Sequence, residues 1–415
     1  MSASAKGSAA LAPWRSLFEK MAPDLGGDLT TRRAQLEAFL ATGLPNRHEE
    51  LWKYTEIPAL AQAHAPADDA STLALPSPLP GTSRIMFVNG RCVEGSSWVG
   101  TVAPSDTLTS DRVVSLNAAF AATGAVIDVA AGQQVTAAFH LLLLRDAASA
   151  ANASHLCHRI TLGENAAATV IVETRGAGQY FGTDVLEVSL AAGAQLALYR
   201  IQDSAAAATE LASSRVSIGR DAKLDAYSFD LGAGLARHDF NIVLDAPGAE
   251  LALQSLSVTN GRAHADNHVR VEHRAPHGRS RINFRGIAGD HSRLVFDGLI
   301  YVGKGAVKTD SDQRLASLLL SSKAEVDAKP ELEIYNDDVR CDHGTATGQL
   351  DPLALFYLRS RGLSEAHARE LLTLAFAATV LESVPLEALR EHLRSRATER
   401  LRDVLAGAVA TGSRA

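Results

Sequence analysis

A four-fold internal repeat is the feature that most limits what this chain can fold into. The segments "ITLGENAAATVIVE" (160–173), "VSLAAGAQLALYR" (188–200), "VSIGRDAKLDAYSF" (216–229) and "IVLDAPGAELALQSL" (242–256) share one pattern. Each has a short apolar strand, a turn with glycine and a second alternating strand. The turn glycines Gly163, Gly193, Gly219 and Gly248 are spaced 30, 26 and 29 residues apart. Units of that length bury their apolar faces only against neighbours, which is the logic of a solenoid. Strands dominate and no helix-length apolar stripe separates the units, so the repeat fits a β-helix. A β-sandwich of regular hairpins is the competing reading.

The flanks read differently. Residues 1–60 look helical, with Leu29, Leu36, Phe39 and Leu40 near helical spacing and Gly43 at a natural stop. Residues 61–80 are rich in Ala and Pro and read as an irregular connector. "RIMFVNGRCVEG" then reads as strand, Asn89-Gly90 turn, strand. The strand pattern continues through "KAEVDAKPELEIYNDDVRCDHG". Helical signals return at Asp351-Pro352, an N-cap with proline in the first turn, and again at Ser364 and Pro385. The expected organisation is an N-terminal helical domain and connector (1–80), a β core (81–347) and a C-terminal helical domain (348–415).

Net charge is −7 and aromatics make up 5%, which argues against nucleic acid and anionic membranes. The N-terminus does not read as a signal peptide, and the apolar stretch at 371–381 is too short to span a bilayer. A cytoplasmic protein is expected. Its three cysteines, Cys92, Cys157 and Cys341, are far apart and do not suggest a disulfide framework. No nucleotide-binding G-x-x-x-x-G-K-[ST] loop, nucleophile elbow, H-E-x-x-H or C-x-x-C occurs, so no catalytic residue is assigned.

Three constellations remain. Cys341-Asp342-His343-Gly344 places a thiol and an imidazole two apart, on one side of an extended chain. Sulfur with imidazole suits iron–sulfur chemistry, zinc or copper, but two ligands cannot close a tetrahedral site. The bland reading is a buried small cysteine beside a turn histidine. His264, His268, His273, His277 and His291 cluster among arginines, as a metal or anion site or as imidazoles bonded between rungs of a solenoid. Asp310, Asp312, Glu325, Asp327, Glu331, Glu333, Asp337 and Asp338 form either paired acids for glycosidic chemistry or a solvated edge.

"GLPNRHEELWKYT", "NGRAHADNHVRVEHRAPHGRSR", "DGLIYVGKGAVKTDSDQ", "LLLSSKAEVDAKPELEIYNDDVRCDHGTATGQLD" and "ALFYLRSRG" resemble the SufD family of the SUF iron–sulfur cluster assembly system. The resemblance runs from about residue 43 to the C-terminus and is strongest over 260–365. The acidic block is shared mainly with the paralogue SufB. The W-K-Y-T block, the length and the few cysteines favour the SufD side. Gly278 stands where many members carry cysteine, and "DSDQRLASLLLSS" is less Asn-rich than usual.

The resemblance implies a mainly β fold, a right-handed parallel β-helix flanked by helical N- and C-terminal domains. It implies a non-catalytic scaffold that pairs with SufB through the β-helices and binds the SufC ATPase through the C-terminal helices. Cys341 and His343 match the family's C-x-H-G motif, which implies candidate iron or cluster ligands at the subunit interface. No cofactor is held permanently, only transient iron or a nascent cluster shared with SufB. Leu353, Phe356, Tyr357, Arg359 and Arg361 become the candidate ATPase contact. A β-helix polysaccharide lyase or hydrolase, and a homodimeric SufB-like scaffold, are the alternatives.

Overall fold

A computed structural model describes residues 11–66, 75–102, 111–147 and 152–412. Its centre is a parallel β-solenoid in which each coil contributes one strand to each of two sheets. One sheet runs from Val99–Gly100 and Gly124–Val129 through Asn152–Leu162, Phe181–Leu190, Thr209–Ile218, Leu235–Leu244, His264–His273 and Arg293–Val302 to Glu325–Ile334. The other runs from the hairpin Thr82–Val88/Arg91–Glu94 through Ala138–Ala147 and five further strands to Asp310–Leu319 and Arg340–Gly348. The hairpin turns at Asn89 and Gly90, both left-handed, as the Asn-Gly pair led us to expect.

The repeat is explained by register. Inward-facing Ile160, Val188, Val216, Ile242, Val271, Ile300 and Leu332 stack in one column across seven coils. β-Branched side chains suit such a ladder, because their stiff χ1 packs well on a pleated surface. The corner between the two sheets is equally regular. One residue per coil, two positions before the second strand, is left-handed: Asn165, Gly193, Asp221, Gly248, His277 and Lys308. Each donates its backbone N–H to the next coil, for example Gly193 to Arg220 O at 2.8 Å and His277 to Val307 O at 2.9 Å. So two of the four turn glycines, Gly193 and Gly248, occupy the left-handed position. At the other two corners Asn165 and Asp221 take it, being among the few side chains that tolerate it.

Helices cover both outer faces. On the first sheet lie α1 (Ala12–Met21), α2 (Leu29–Thr42) and α3 (Arg112–Phe120). Trp14, Phe18, Leu36 and Phe39 pack there against Phe120, Phe181 and Leu211. Asp28 caps α2, and Gly43 (φ 69°) ends it where the sequence placed the stop. Residues 46–61 are not helix as the sequence suggested; they carry only the 3₁₀ turns Glu50–Trp52 and Pro58–Ala61. The strand pattern also hid α3, which Asp111 caps and which is buried on all sides.

The second sheet carries α4 (Pro352–Ser360), α5 (Glu365–Leu381) and α6 (Glu387–Gly412), with Asp351 and Ser364 as the expected caps. Leu389, Leu393, Ala397, Leu401 and Val404 bury one stripe of α6 against Tyr199, Phe229, Leu256 and Ile287. Beside that stripe, His392, Arg396 and Arg400 recur every fourth residue and clamp the helix to buried sheet carboxylates. Glu173 takes His392 at 3.0 Å, and Asp203 takes both arginines. No described helix is long and apolar enough to cross a membrane.

Candidate functional site at the open end of the solenoid

Strand Arg340–Gly348 pairs along one edge only, with Cys341 opposite Ser311 and His343 opposite Gln313. Strand Glu325–Ile334, the last of the other sheet, likewise has one partner. Both sheets therefore stop on the same coil, and no described strand closes it. Unpaired edge strands are templates for another chain. The coil is correspondingly exposed: Ile334 is 40% and Tyr335 55% accessible.

Cys341 and His343 share the inward face, as alternation in a strand requires. Cys341 is half-buried and packs on the main core cluster, while His343, above the same lumen, is open. Burial pushes the Cys341 thiol up. A backbone hydrogen bond from Ser311 works against this, and the Asp310 and Asp342 carboxylates add to it. The side chain is therefore a neutral thiol in the free chain, and a metal would have to displace its proton. Among the described residues no group of three or more His, Cys, Asp or Glu is arranged to hold a metal ion.

The lumen changes character on approach to this end. One inward column reads Val170, Leu198, Ala226, Leu253 and Ile282, then Gln313 and His343. Its neighbour reads Ala168, Leu196, Leu224 and Leu251, then Ser280, Ser311 and Cys341. Apolar stacks become polar ones over the last coils. Ser280 and Ser311 bond each other at 2.8 Å, and His273 Nε2 reaches Ser280 at 2.9 Å.

Leu353, Phe356 and Tyr357 lie on one face of α4 and are 76%, 71% and 57% exposed. Helical spacing alone left core and surface open, and the structure places these three on the surface. Arg359 pairs with Glu365 at 3.3 Å, and the Arg361 guanidinium lies 5.2 Å from the Tyr357 ring centre.

The five clustered histidines do not form one site. His264 and His268 both face outward on strand His264–His273, where His264 Nε2 meets Thr55 Oγ1 at 2.9 Å and His268 Nε2 lies 3.0 Å from Asp266. His273 points into the lumen, and His277 occupies a left-handed corner. What the sequence did not disclose is the docking of "LPNRHEELWKYT" onto this strand. The Arg237 guanidinium lies 3.8 Å from the Trp52 ring centre, donates to Leu51 O and pairs with Asp239 and Asp266. Burial alone would raise the Asp266 carboxyl, but Arg237, His268 and Thr55 hold it well below the usual range. Two blocks more than 200 residues apart are thus one contact.

The acidic block is largely paired, either with a cation of the adjacent coil or with one on its own strand. Asp310 meets Arg281, Asp312 meets Arg314, Asp327 meets Arg293 and Asp338 meets Lys308, each within 2.8 Å. Carboxylates so engaged make a poor acid–base pair for a glycosidic bond.

A two-sheet parallel solenoid, helical on both outer faces and unclosed at its last coil, is the class of protein defined here. A family model described as "SUF system FeS cluster assembly, SufBD core domain" matches residues 144–376. The chain is similar to the iron–sulfur cluster assembly protein SufD of Escherichia coli, 31% identical over 94% of this chain and 97% of that protein. An iron–sulfur cluster assembly SufBD family protein of Synechocystis is 28% identical over 85% of this chain and 86% of its own. The SufD of Bacillus subtilis is 36% identical over 110 residues. The chain belongs to the SufBD family, and its role lies in iron–sulfur cluster assembly.

Proposed function

We propose that this chain is a non-catalytic scaffold subunit that joins a SufB-type paralogue through its open last coil. The observation that carries this reading is that both sheets end there on strands with one edge unpaired among the described residues. A second solenoid seated on the end would complete the ladders, cover Ile334 and Tyr335, and bring its own donors to Cys341 and His343. The pair supplies half of a site for iron or a nascent cluster, which is cargo and not a resident group. Cys341 gives up its proton as the metal arrives, and His343 binds as the neutral imidazole. Without the paralogue, a second copy of the chain has the same edges to offer, so self-association is expected.

The apolar face of α4 takes the ATPase chain, SufC. Three large side chains exposed on one turn-and-a-half of helix are the usual form of a helix-in-groove anchor. Movement of α4 would reach the sheet through α5 and the α6 clamp at Asp203 and Glu173, and so strain the joint between the solenoids.

The test is co-purification with the SufB-type and SufC-type partners. Phe356→Asp alters a side chain that is 71% exposed, and is expected to weaken ATPase retention about thirtyfold, the scale of a lost hot spot, while the paralogue stays bound. His343→Ala should keep both partners and lose cluster recovery. Undiminished ATPase binding by Phe356→Asp would remove α4 from the account, and undiminished cluster recovery by His343→Ala would remove the site.

A further inference from the structure

A cavity of 390 Å³ opens on the outer face of the first sheet, on the far side of that sheet from the lumen. Its floor comes from strands Leu235–Leu244, His264–His273 and Arg293–Val302, and its wall from the docked Glu50, Leu51 and Trp52 and the start of α3. The two sequence blocks that meet through Trp52 and Arg237 therefore enclose a space of the size that holds small molecules, about 300–1,000 Å³. Five arginine or lysine side chains and five carboxylates line it. So balanced a lining selects neither a polyanion nor a bare cation. Nor is any group of three or more His, Cys, Asp or Glu among the described residues arranged to hold a metal ion.

Two of these charges are left over. Asp297 is 7% exposed, and its carboxylate takes no hydrogen bond among the described residues. Lys329 Nζ lies 3.9 Å away, too far for a hydrogen bond, and is already held by Glu50 and Glu331. Burial accordingly raises the Asp297 carboxyl, with His268 and Lys329 opposing. Buried carboxylates are normally paired or hydrogen-bonded. Arg270 is the complement. It faces the same cavity, its guanidinium lies 5.9 Å from the Tyr301 ring centre, and it pairs with no carboxylate among the described residues. Register sets it diagonal to Asp297, because His268 is opposite Asp297 and Arg270 is opposite Leu299. Strand rise and spacing put the two Cα atoms about 8 Å apart. The two side chains do not pair directly across that gap. Leu299 lies beside them, and Leu51, 63% exposed, faces the cavity from the wall.

We propose that this cavity binds a free α-amino acid with an apolar side chain. The ligand's ammonium group donates to Asp297, its carboxylate accepts from Arg270, and its side chain lies on Leu299 and Leu51. Such a ligand has no net charge and carries both charged groups on one carbon. It supplies the donor that Asp297 lacks and the acceptor that Arg270 lacks.

The experiment adds an equimolar mixture of L-leucine, L-valine, L-methionine and L-phenylalanine to the full chain and reads saturation transfer from protein to ligand by NMR. At least one of the four should show transfer, and titration of that one gives its dissociation constant. Its N-acetyl and amide derivatives, which each lack one charge, should show none. Asp297→Asn and Arg270→Gln should each weaken binding at least about tenfold, the scale of one charge-assisted hydrogen bond. Neither should lower the melting temperature, since Asp297→Asn removes an unpaired buried charge and Arg270 is exposed. The Arg270→Gln arm decides the matter if Asp297→Asn does not fold. No transfer to any of the four at millimolar concentration overturns the proposal. So does undiminished binding of the acetylated or amidated form, or binding that survives either substitution.

Discussion

Arg145→Met is expected to lower the unfolding free energy by about 3–5 kcal/mol, the range for breaking a buried ion pair from one side. Arg145 lies inside the lumen on strand Ala138–Ala147 and is 2% exposed. It reaches Asp184 at 2.6 Å and Glu210 at 2.8 Å, and donates to Ser154 Oγ at 3.3 Å. Burial disfavours its charge, but Asp184 and Glu210 together drive its pKa above the ordinary arginine value. Methionine fills similar volume and removes the only cation that these two contact within hydrogen-bonding distance among the described residues. Glu210 is as buried as Arg145, and burial already raises its carboxyl against the pull of Arg145. Without the arginine it must take up a proton or remain an unpaired charge. Urea midpoints measure the loss, and Glu210→Gln in the Arg145→Met background should recover part of it. A loss below about 1 kcal/mol, the scale of an exposed pair, would show that the lumen is wetter than the structure implies.

Acid should destabilise the chain earlier than carboxylate protonation alone would. His158 Nδ1 accepts the Ala125 backbone N–H at 3.0 Å, so its imidazole is neutral. Burial pulls His158 down to about 4, with Arg145 adding and Asp184 opposing. Burial likewise takes His155 to about 3 and His273 to about 4. Unfolded, each would titrate near 6.5. The unfolded state therefore binds more protons as pH falls below about 6.5, and stability drops by about 1.4 kcal/mol per pH unit for each histidine. The fall ends only where the folded imidazoles themselves protonate, near 3 to 4. Asp266 and Glu173, whose carboxyls are held low by their cationic and hydrogen-bonding partners despite burial, add a further loss below their unfolded values. Urea midpoints should be level from pH 8 to 7 and decline steeply between pH 6.5 and 5, as this linkage requires. A midpoint at pH 5 equal to that at pH 7 would contradict neutral burial of these rings.

Those two results concern residues whose roles the sequence did not disclose, and the reason is geometric. Coil corners were legible, because a left-handed backbone restricts the residue to Gly, Asn or Asp often enough to leave a period. The caps Asp351 and Ser364 were legible, since each bonds a backbone N–H within three residues. The shared face of Cys341 and His343 followed from strand alternation alone. Arg145, Asp184 and Glu210 meet across the lumen, 39 and 65 residues apart, at positions only coil register defines. Trp52 and Arg237 meet across a far longer span. Helix α3 was hidden because "RVVSLNAAF" is buried on all sides, so its polar Arg112, Ser115 and Asn117 mark no solvent face and leave no stripe to read. Nor does a repeat announce which of its coils is uncapped. Leu332, Ile334 and Cys341 have the inward pattern of every earlier coil, yet no described strand follows to cover them.

That uncovered coil is the centre of the account, and hydrogen exchange tests it most directly. Amide exchange would be followed across Glu325–Ile334 and Arg340–Gly348 in the chain alone and in complex with the SufB-type paralogue. Strand Phe181–Leu190, paired on both edges, serves as the internal reference. The account predicts that outward-facing amides of the two terminal strands exchange fast in the free chain and become protected in the complex, with the reference unchanged. Equal exchange of the terminal strands in both states would place the paralogue elsewhere and leave Cys341 and His343 without a second half.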